Sequence, residues 1–347
     1  MSQVSRPVVL VSGVSGVVGG AVARALVPDF DVVALTGRRR VVGYEQIRVD
    51  LPARRLGLTA RDWAALADRA DLVVHAAGKA DFTDDPAAMA AVNVEGAARV
   101  AELAAAAHAP LVHISSAYVA RLDFVREHED RIPAECPIRP SVYLASKAAA
   151  ERDLAAFDGP LCVVRPSVVM GDSADGATSA RQSIHDQIRL VARGMPVMAV
   201  GGHVRLDMLP RDVTGQCVAA LAAVAVTDPA ALPGLFWATA GYAAPTLRTT
   251  TELVVREMAR RGRPVPSPEF FETLKAPLTE FPGWDGLSSL ERTILMCQAA
   301  NGLMLGDGEP FPSSLGGFPL LGTPAPVRPE EALEHFRNDV EFTLRRR

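Results

Sequence analysis

The 347-residue chain has few cysteines, little net charge and no long apolar run, and each scarcity excludes something. Its four cysteines, Cys136, Cys162, Cys217 and Cys297, are scattered, and none forms a C-x-x-C pair. That spacing fits neither a disulfide framework nor a zinc site, and reads as small apolar residues in a reducing compartment. The seven histidines show no ligand spacing either, so no metal is expected. A formal net charge of −4 argues against a nucleic-acid or anionic-lipid surface. The longest apolar run, "CVAALAAVAV" (217–226), is too short to cross a bilayer. Near the start, "RPVVLVSGVSGVVGGAVARALV" is interrupted by Gly and Ser, so it lacks the apolar heart of a signal peptide. The expectation is a cytoplasmic protein without a membrane span.

What is present is a regular alternation. Short β-branched runs at 8–12, 31–36, 71–77, 110–116 and 161–167 alternate with Ala-rich helical stretches near 17–27, 97–108 and 141–157. Apolar runs flanked by helices imply a parallel sheet covered on both faces. The fold class is therefore α/β: a doubly wound parallel sheet of the Rossmann kind, with ligands at the carboxyl ends of its strands. Beyond residue 170 the alternation weakens. "GDSADGATSA" (171–180) reads as a loop, "IHDQIRLVARG" as a helix, and "DVTGQCVAALAAVAV" as a helix capped by Asp212. From 245 onward the chain reads as helical and loop-like. We divide it into a dinucleotide-binding domain (1–170 and 205–240) and a smaller, mainly helical substrate-binding region (171–204 and 241–347).

"SGVSGVVGG" spaces Gly13, Gly16 and Gly19 three apart, between a strand and a helix, with Ser15 inside the turn. Small residues there allow a tight turn and leave room for a pyrophosphate over the helix N-terminus. The alternative is a plain tight turn. At the end of the second strand an NAD site would carry Asp or Glu for the ribose 2′-hydroxyl. This chain reads "LTGRRR" instead, with Arg38 and Arg39 placed to clamp a 2′-phosphate, so NADP(H) is preferred over NAD(H). The alternative there is a solvated basic loop. Asp50, followed by Leu51, is placed either to bond an adenine amino group or to close a strand-end turn. "HAAG" supplies Ala76, Ala77 and Gly78 where a strand end passes under the cofactor.

"VYLASKAAAE" (142–151) sets Tyr143 and Lys147 one helical turn apart, on one face. The glycine turn, "HAAG", "NVEGA", "ISSAYV", this Y-x-x-x-K and "RPSVVMG", in that order, resemble the extended short-chain dehydrogenase/reductase superfamily. The resemblance covers roughly the first 170 residues. It implies that Tyr143 is the general acid for a substrate carbonyl, that Lys147 lowers the phenol's pKa and bonds the nicotinamide ribose, and that Ser116 orients the carbonyl. It implies that Asn93 supports a water relay to the lysine; a helix-kink or capping role is the alternative. It also implies that Pro166 and Val168 contact the nicotinamide carboxamide.

"RPSVVMGDSADG" and the later "LPRDV" resemble the thioester-reductase and fatty-acyl-reductase (male-sterility-type) branch, although Arg211 stands where an apolar residue is usual. The branch implies an NADPH-dependent reductase of an acyl thioester, or of the derived aldehyde or ketone. A thioester would arrive on a separate carrier or on coenzyme A. By superfamily analogy Arg205 meets a substrate phosphate; the alternative is a surface pair with Asp207. Superfamily members also pair through the Tyr/Lys helix, and the Ala-rich face at 148–156 would allow a homodimer. Two other readings compete: a sugar-nucleotide epimerase or dehydratase, and a non-catalytic NADP(H) sensor. "SSAYVA" lacks a dehydratase's acid/base pair, and both Tyr and Lys are retained, which counts against the sensor.

Overall fold

Seven strands form one parallel sheet in the computed structural model, which describes residues 6–80, 82, 86–317 and 322–345. The first six are β1 (Val8–Ser12), β2 (Asp31–Thr36), β3 (Glu45–Arg48), β4 (Leu72–His75), β5 (Leu111–Ile114) and β6 (Leu161–Pro166). Strand Leu235–Ala238 pairs with β6 at one edge, and the order continues through β5, β4, β1 and β2 to β3. The direction of build-out reverses between β1 and β4, which opens the ligand crevice of a doubly wound sheet at that point.

The sheet's two faces follow from side-chain alternation. Val9 and Val11 of β1 pack under helices Val17–Leu26 and Arg211–Thr227, with Val22, Leu26, Val218 and Leu221. Leu10 points the other way, towards helices Gly96–Ala106 and Pro140–Leu154, with Val100, Leu103, Ala150 and Leu154. The first two of these helices touch where Gly215 lies; a Cβ there would stand 2.8 Å from the Ala21 carbonyl oxygen. Two further apolar clusters lie among helices Ser183–Ala192, Leu247–Arg260, Ser289–Leu303 and Pro329–Arg345.

Strand Leu235–Ala238 was not legible in the sequence: four residues at a sheet edge carry too little pattern. A two-residue ladder, Val197–Met198 with Glu269–Phe270, also lies in a stretch that reads as loop. Asp212 does not cap its helix, whose N-cap is Pro210. Its carboxylate instead accepts from the Ser173 amide (2.8 Å) and hydroxyl (2.6 Å) of the loop after β6. That loop is clamped from the far end of the chain. Gly171 N–H donates to Asp339 Oδ1 at 3.1 Å, and Gly176, at φ +70°, lies against the backbone of Asn338 and Asp339. His185 is 3% exposed, with its Nε2 3.3 Å from the same Asp339 oxygen.

The branch departure at Arg211 has a local explanation. The buried guanidinium grips Asp172 with both its Nε, at 2.9 Å, and an Nη. Removing only the acid strands a buried cation, and such changes destabilise by about 3 kcal/mol. Asp172→Ala should therefore unfold at correspondingly lower urea, whereas surface Asp153→Ala should not move the midpoint.

Candidate active site

The carboxyl ends of β1 to β4 meet around a cleft of about 730 Å³. Gly13, Ser15 and Gly16 line it after β1, Thr36 and Arg38 after β2, Asp50 and Leu51 after β3, and Ala76, Ala77 and Gly78 after β4. The size suits a dinucleotide. The glycine positions are sterically set. At Gly13, φ is +77°, and a Cβ would lie 2.6 Å from Ala76 C and O and Ala77 N. At Gly19 a Cβ would lie 2.2 Å from the Gly13 carbonyl oxygen. The turn is thus packed with backbone where side chains would otherwise stand, and helix Val17–Leu26 presents its N-terminus to the cleft. No carboxylate lies at the end of β2. Sequence reading missed Arg48, which pairs in register with Thr36 and lines the cleft beside Arg38; an exposed arginine in a short edge strand carries no local signal. Arg39 is exposed and not among the lining residues.

The sequence-selected polar residues gather at one end of this cleft. Ser116, just past β5, caps the turn Ala117–Arg121 and accepts from the Tyr118 amide at 3.3 Å. Its side chain lies close enough to the Tyr143 hydroxyl to favour the phenolate. Tyr143 stands against Phe82, ring centroids 5.2 Å apart. Burial pushes its phenol up to about 12, and the nearby Ser116 hydroxyl only partly offsets this. In the protein alone desolvation sets the direction, and Lys147 is not among the groups that shift the phenol. Lys147 is 6% exposed and donates to the Ile114 carbonyl at 3.2 Å. Burial brings its ammonium down to about 8, with Glu151, one turn on, pulling the other way. The Lys147 Nζ lies 3.0 Å from where a Gly78 Cβ would be, so the small residue there keeps the lysine beside the cleft.

Asn93 sits in a single π-helical turn, Ala91–Glu95, between two α-helical stretches. The wider turn aims its carboxamide inward. The side chain accepts from Lys79 N–H (2.7 Å) and donates to Lys79 C=O (3.0 Å) and Ser146 Oγ (2.9 Å). The alternative expected for Asn93, a helix kink, is thus present at this π turn. Beneath the lysine, His75 and His113 stack at 5.3 Å, 1% exposed each. Burial, reinforced by Lys147, holds His75 down at about 3, and burial puts His113 well below the usual range, so both rings are neutral.

Past Ser116 a second, apolar cavity opens, lined by Tyr118, Val168, Met198, Leu206, Gln298 and Asn301 among others. Val168 lines this cavity; Pro166 is buried at the end of β6. Arg205 does not line the cavity. Its guanidinium donates to the Tyr242 (3.2 Å) and Ala244 (2.8 Å) carbonyls, and Asp207, buried, accepts instead from the Ala240 and Gly241 amides.

A folded lysine pKa below the unfolded one means that the folded state binds fewer protons between about pH 8 and 10.5. Stability thus rises with pH across that window, and the full penalty, about 3 kcal/mol, is present below it. Lys147→Met should raise the unfolding free energy at pH 7 by up to that amount, with the gap to wild type closing near pH 10.5. Urea titrations at both pH values check this.

A doubly wound sheet with a glycine-turn cleft and a polar cluster beside it defines an oxidoreductase that uses a nicotinamide cofactor, of the extended short-chain dehydrogenase/reductase type. More narrowly, the chain belongs to the male sterility protein family, whose NAD-binding domain model matches residues 37–218. It is 28% identical over 245 residues to the hybrid PKS-NRPS synthetase pvhA of Talaromyces variabilis, a stretch covering 66% of this chain and 6% of that protein. The chain thus corresponds to a small fraction of that relative's length. In fold it resembles the terminal R domain of the myxalamid PKS-NRPS pathway (TM-score 0.69, 18% identity, 99% of this chain and 92% of that one). It also resembles a thiolation-reductase di-domain of an archaeal non-ribosomal peptide synthetase (TM-score 0.67, 16% identity, 98% and 76%). Among the described residues no helix is long and apolar enough to cross a membrane.

Proposed function

We propose that the protein is an NADPH-dependent reductase that converts a carrier-bound acyl thioester to an aldehyde. The observation that supports this reading is the placement of Ser116, Tyr143 and Lys147 just past β5 and on helix Pro140–Leu154, with Lys147 reaching Gly78 of the dinucleotide-sized cleft and Tyr118, which Ser116 caps, lining the apolar cavity. The similarity to a hybrid PKS-NRPS synthetase, to a terminal R domain and to a thiolation-reductase di-domain supports the carrier-bound substrate.

The cofactor, when bound, supplies hydride. Ser116 donates to the thioester carbonyl oxygen and fixes it against Tyr143. The Tyr143 phenol, protonated across the neutral range, gives its proton to that oxygen as negative charge develops there. Lys147 stabilises the phenolate left behind and, with Asn93, leads to the water that reprotonates it. The tetrahedral adduct then releases the carrier thiolate, which takes up a proton, and the aldehyde. The apolar cavity beyond Ser116 receives the acyl chain and excludes water.

The test is NADPH consumption with a long-chain acyl-coenzyme A, a pantetheine thioester, a medium-chain aldehyde and a β-ketoester. Thioester turnover supports the reading. Turnover confined to aldehyde or ketone replaces it with simple carbonyl reduction, and no turnover with tight NADPH binding points to an epimerase-like reaction or a sensor.

For the cofactor, Arg38 and Arg48 are the proposed 2′-phosphate partners. Each charge-assisted bond contributes about 1.5 kcal/mol. Arg38→Ser and Arg48→Ser should each raise KM for NADPH about tenfold and leave KM for NADH unchanged; equal effects on both cofactors would sink the NADP preference.

A further inference from the structure

The cavity beyond Ser116 is not apolar throughout. Three buried polar atoms of residues in its wall have no hydrogen-bond partner among the described residues: the Tyr118 hydroxyl, Gln298 Oε1 and Asn301 Oδ1. Tyr118 and Gln298 are 7% and 8% exposed. Buried polar groups are nearly always paired, because an unpaired one gives up its bonds to water without replacement. Three in one wall call for a common cause.

Local structure fixes where they stand. Tyr118 lies two residues past Ser116, whose hydroxyl accepts from its amide, so it belongs to the end of the cavity nearest Ser116. Its ring is held edge-on against Phe311, centroids 5.2 Å apart, a contact that makes no use of the hydroxyl. Gln298 and Asn301 are three apart on helix Ser289–Leu303 and so share a face. The Gln298 carboxamide is oriented by its Nε2, which donates to Gln187 Oε1 at 3.1 Å and Met195 Sδ at 3.2 Å; its oxygen is left over.

We propose that the acyl group taken by this cavity is not a plain hydrocarbon chain but carries, close to the reacting carbonyl, a group that both accepts and donates a hydrogen bond: a hydroxyl or a secondary amide. The inference rests on the reductase reading for the position of the carbonyl. Tyr118 supplies the donor. Burial pushes its phenol above the usual range, so the O–H stays protonated. Gln298 and Asn301 supply the acceptors. A ketone, which only accepts, would leave both oxygens unpaired. A charged group does not suit the wall, since no charged residue lines it among the described residues and a buried charge needs a partner. The volume of about 130 Å³ is close to that of an apolar cavity that holds benzene, about 150 Å³, so there is room for about six heavy atoms. The polar group therefore falls within the first few atoms of the chain, and the remainder of a longer acyl group lies outside.

The experiment compares pantetheine thioesters of similar length: hexanoyl, β-hydroxyhexanoyl and N-acetylglycyl. Affinity is measured by calorimetry on the full chain saturated with NADP⁺, where no hydride can pass, and turnover is measured separately with NADPH. The hydroxyacyl or the amide thioester is expected to bind at least about tenfold more tightly than hexanoyl, because a site with buried polar groups discriminates against a ligand that leaves them unpaired. Which of the two does so decides between hydroxyl and amide. Tyr118→Phe and Gln298→Leu should each bring that ratio several-fold closer to one. Equal affinity for plain and polar thioesters, an unchanged ratio in both variants, or no binding by any of the three overturns the proposal. Selective binding without thioester turnover upholds the polar site and removes the reductase reading instead.

Discussion

Tyr143→Phe is expected to lower kcat by about three orders of magnitude while leaving KM for NADPH within about twofold, because a positioned acid contributes roughly 10²–10⁴ in rate. The substitution removes one oxygen and keeps the ring against Phe82, so the local packing survives. Ser116 remains, and with it part of the oxyanion stabilisation, so residual turnover is expected above the uncatalysed rate. The pH profile gives a second reading of the same group. The phenol is pushed up to about 12 and the lysine brought down to about 8. From neutral pH upward the first group to lose a proton is therefore Lys147, and with it goes the charge that stabilises the phenolate. Reduction should be flat from pH 6 to about 7 and fall above about 8. A rate that climbs through pH 8, or a Tyr143→Phe enzyme with near wild-type kcat, would remove Tyr143 and Lys147 from the proposed roles.

Gly13→Ala should abolish measurable cofactor binding. The added methyl would meet three backbone atoms of Ala76 and Ala77 at 2.6 Å, and nothing flexible stands there to move aside. The residue also sits at φ +77°, a conformation that alanine adopts only with strain. Relief requires β1 and β4 to separate at their carboxyl ends, where the cleft opens, so cofactor affinity falls by more than about 100-fold, equivalent to about 3 kcal/mol. Stability should fall too, by about 2–4 kcal/mol. Calorimetric titration with NADPH and a urea curve separate the two effects. Gly37→Ala is the control, since a Cβ there meets nothing within 4 Å. Equal binding by Gly13→Ala and wild type would refute the cradle.

The parts of this molecule that were legible in the sequence are those whose cause is local. A glycine turn between a strand and a helix, and a Tyr and Lys four apart on one helix, are written in neighbouring letters. So are β1 and β2, whose bounds fall on the expected residues. What stayed hidden depends on residues far apart. Asp212 reads as a cap because the sequence cannot show Ser173 waiting across space. Arg48 reads as an exposed edge residue until β3 pairs with β2 and sets it at the cleft. The expectation of a lowered phenol pKa counted a charge that spacing reveals and left out a desolvation that only packing reveals. The lining of the apolar cavity draws on segments from Tyr118 to Leu305, and no window of sequence contains it.

Helix Pro329–Arg345, which clamps the loop after β6 through Gly176 and Asp339, sets an order of maturation. All seven strands, and the helices on both faces of the sheet, have emerged by residue 238, so the cofactor cleft can assemble while synthesis continues. The loop at 171–176 has its final neighbours only when the last of the described residues arrive. Contacts across such sequence separations form late and are the first to open. A nascent or frayed chain would thus have its cofactor cleft before this loop was secured, and proteases should find the 171–180 segment before any strand of the sheet.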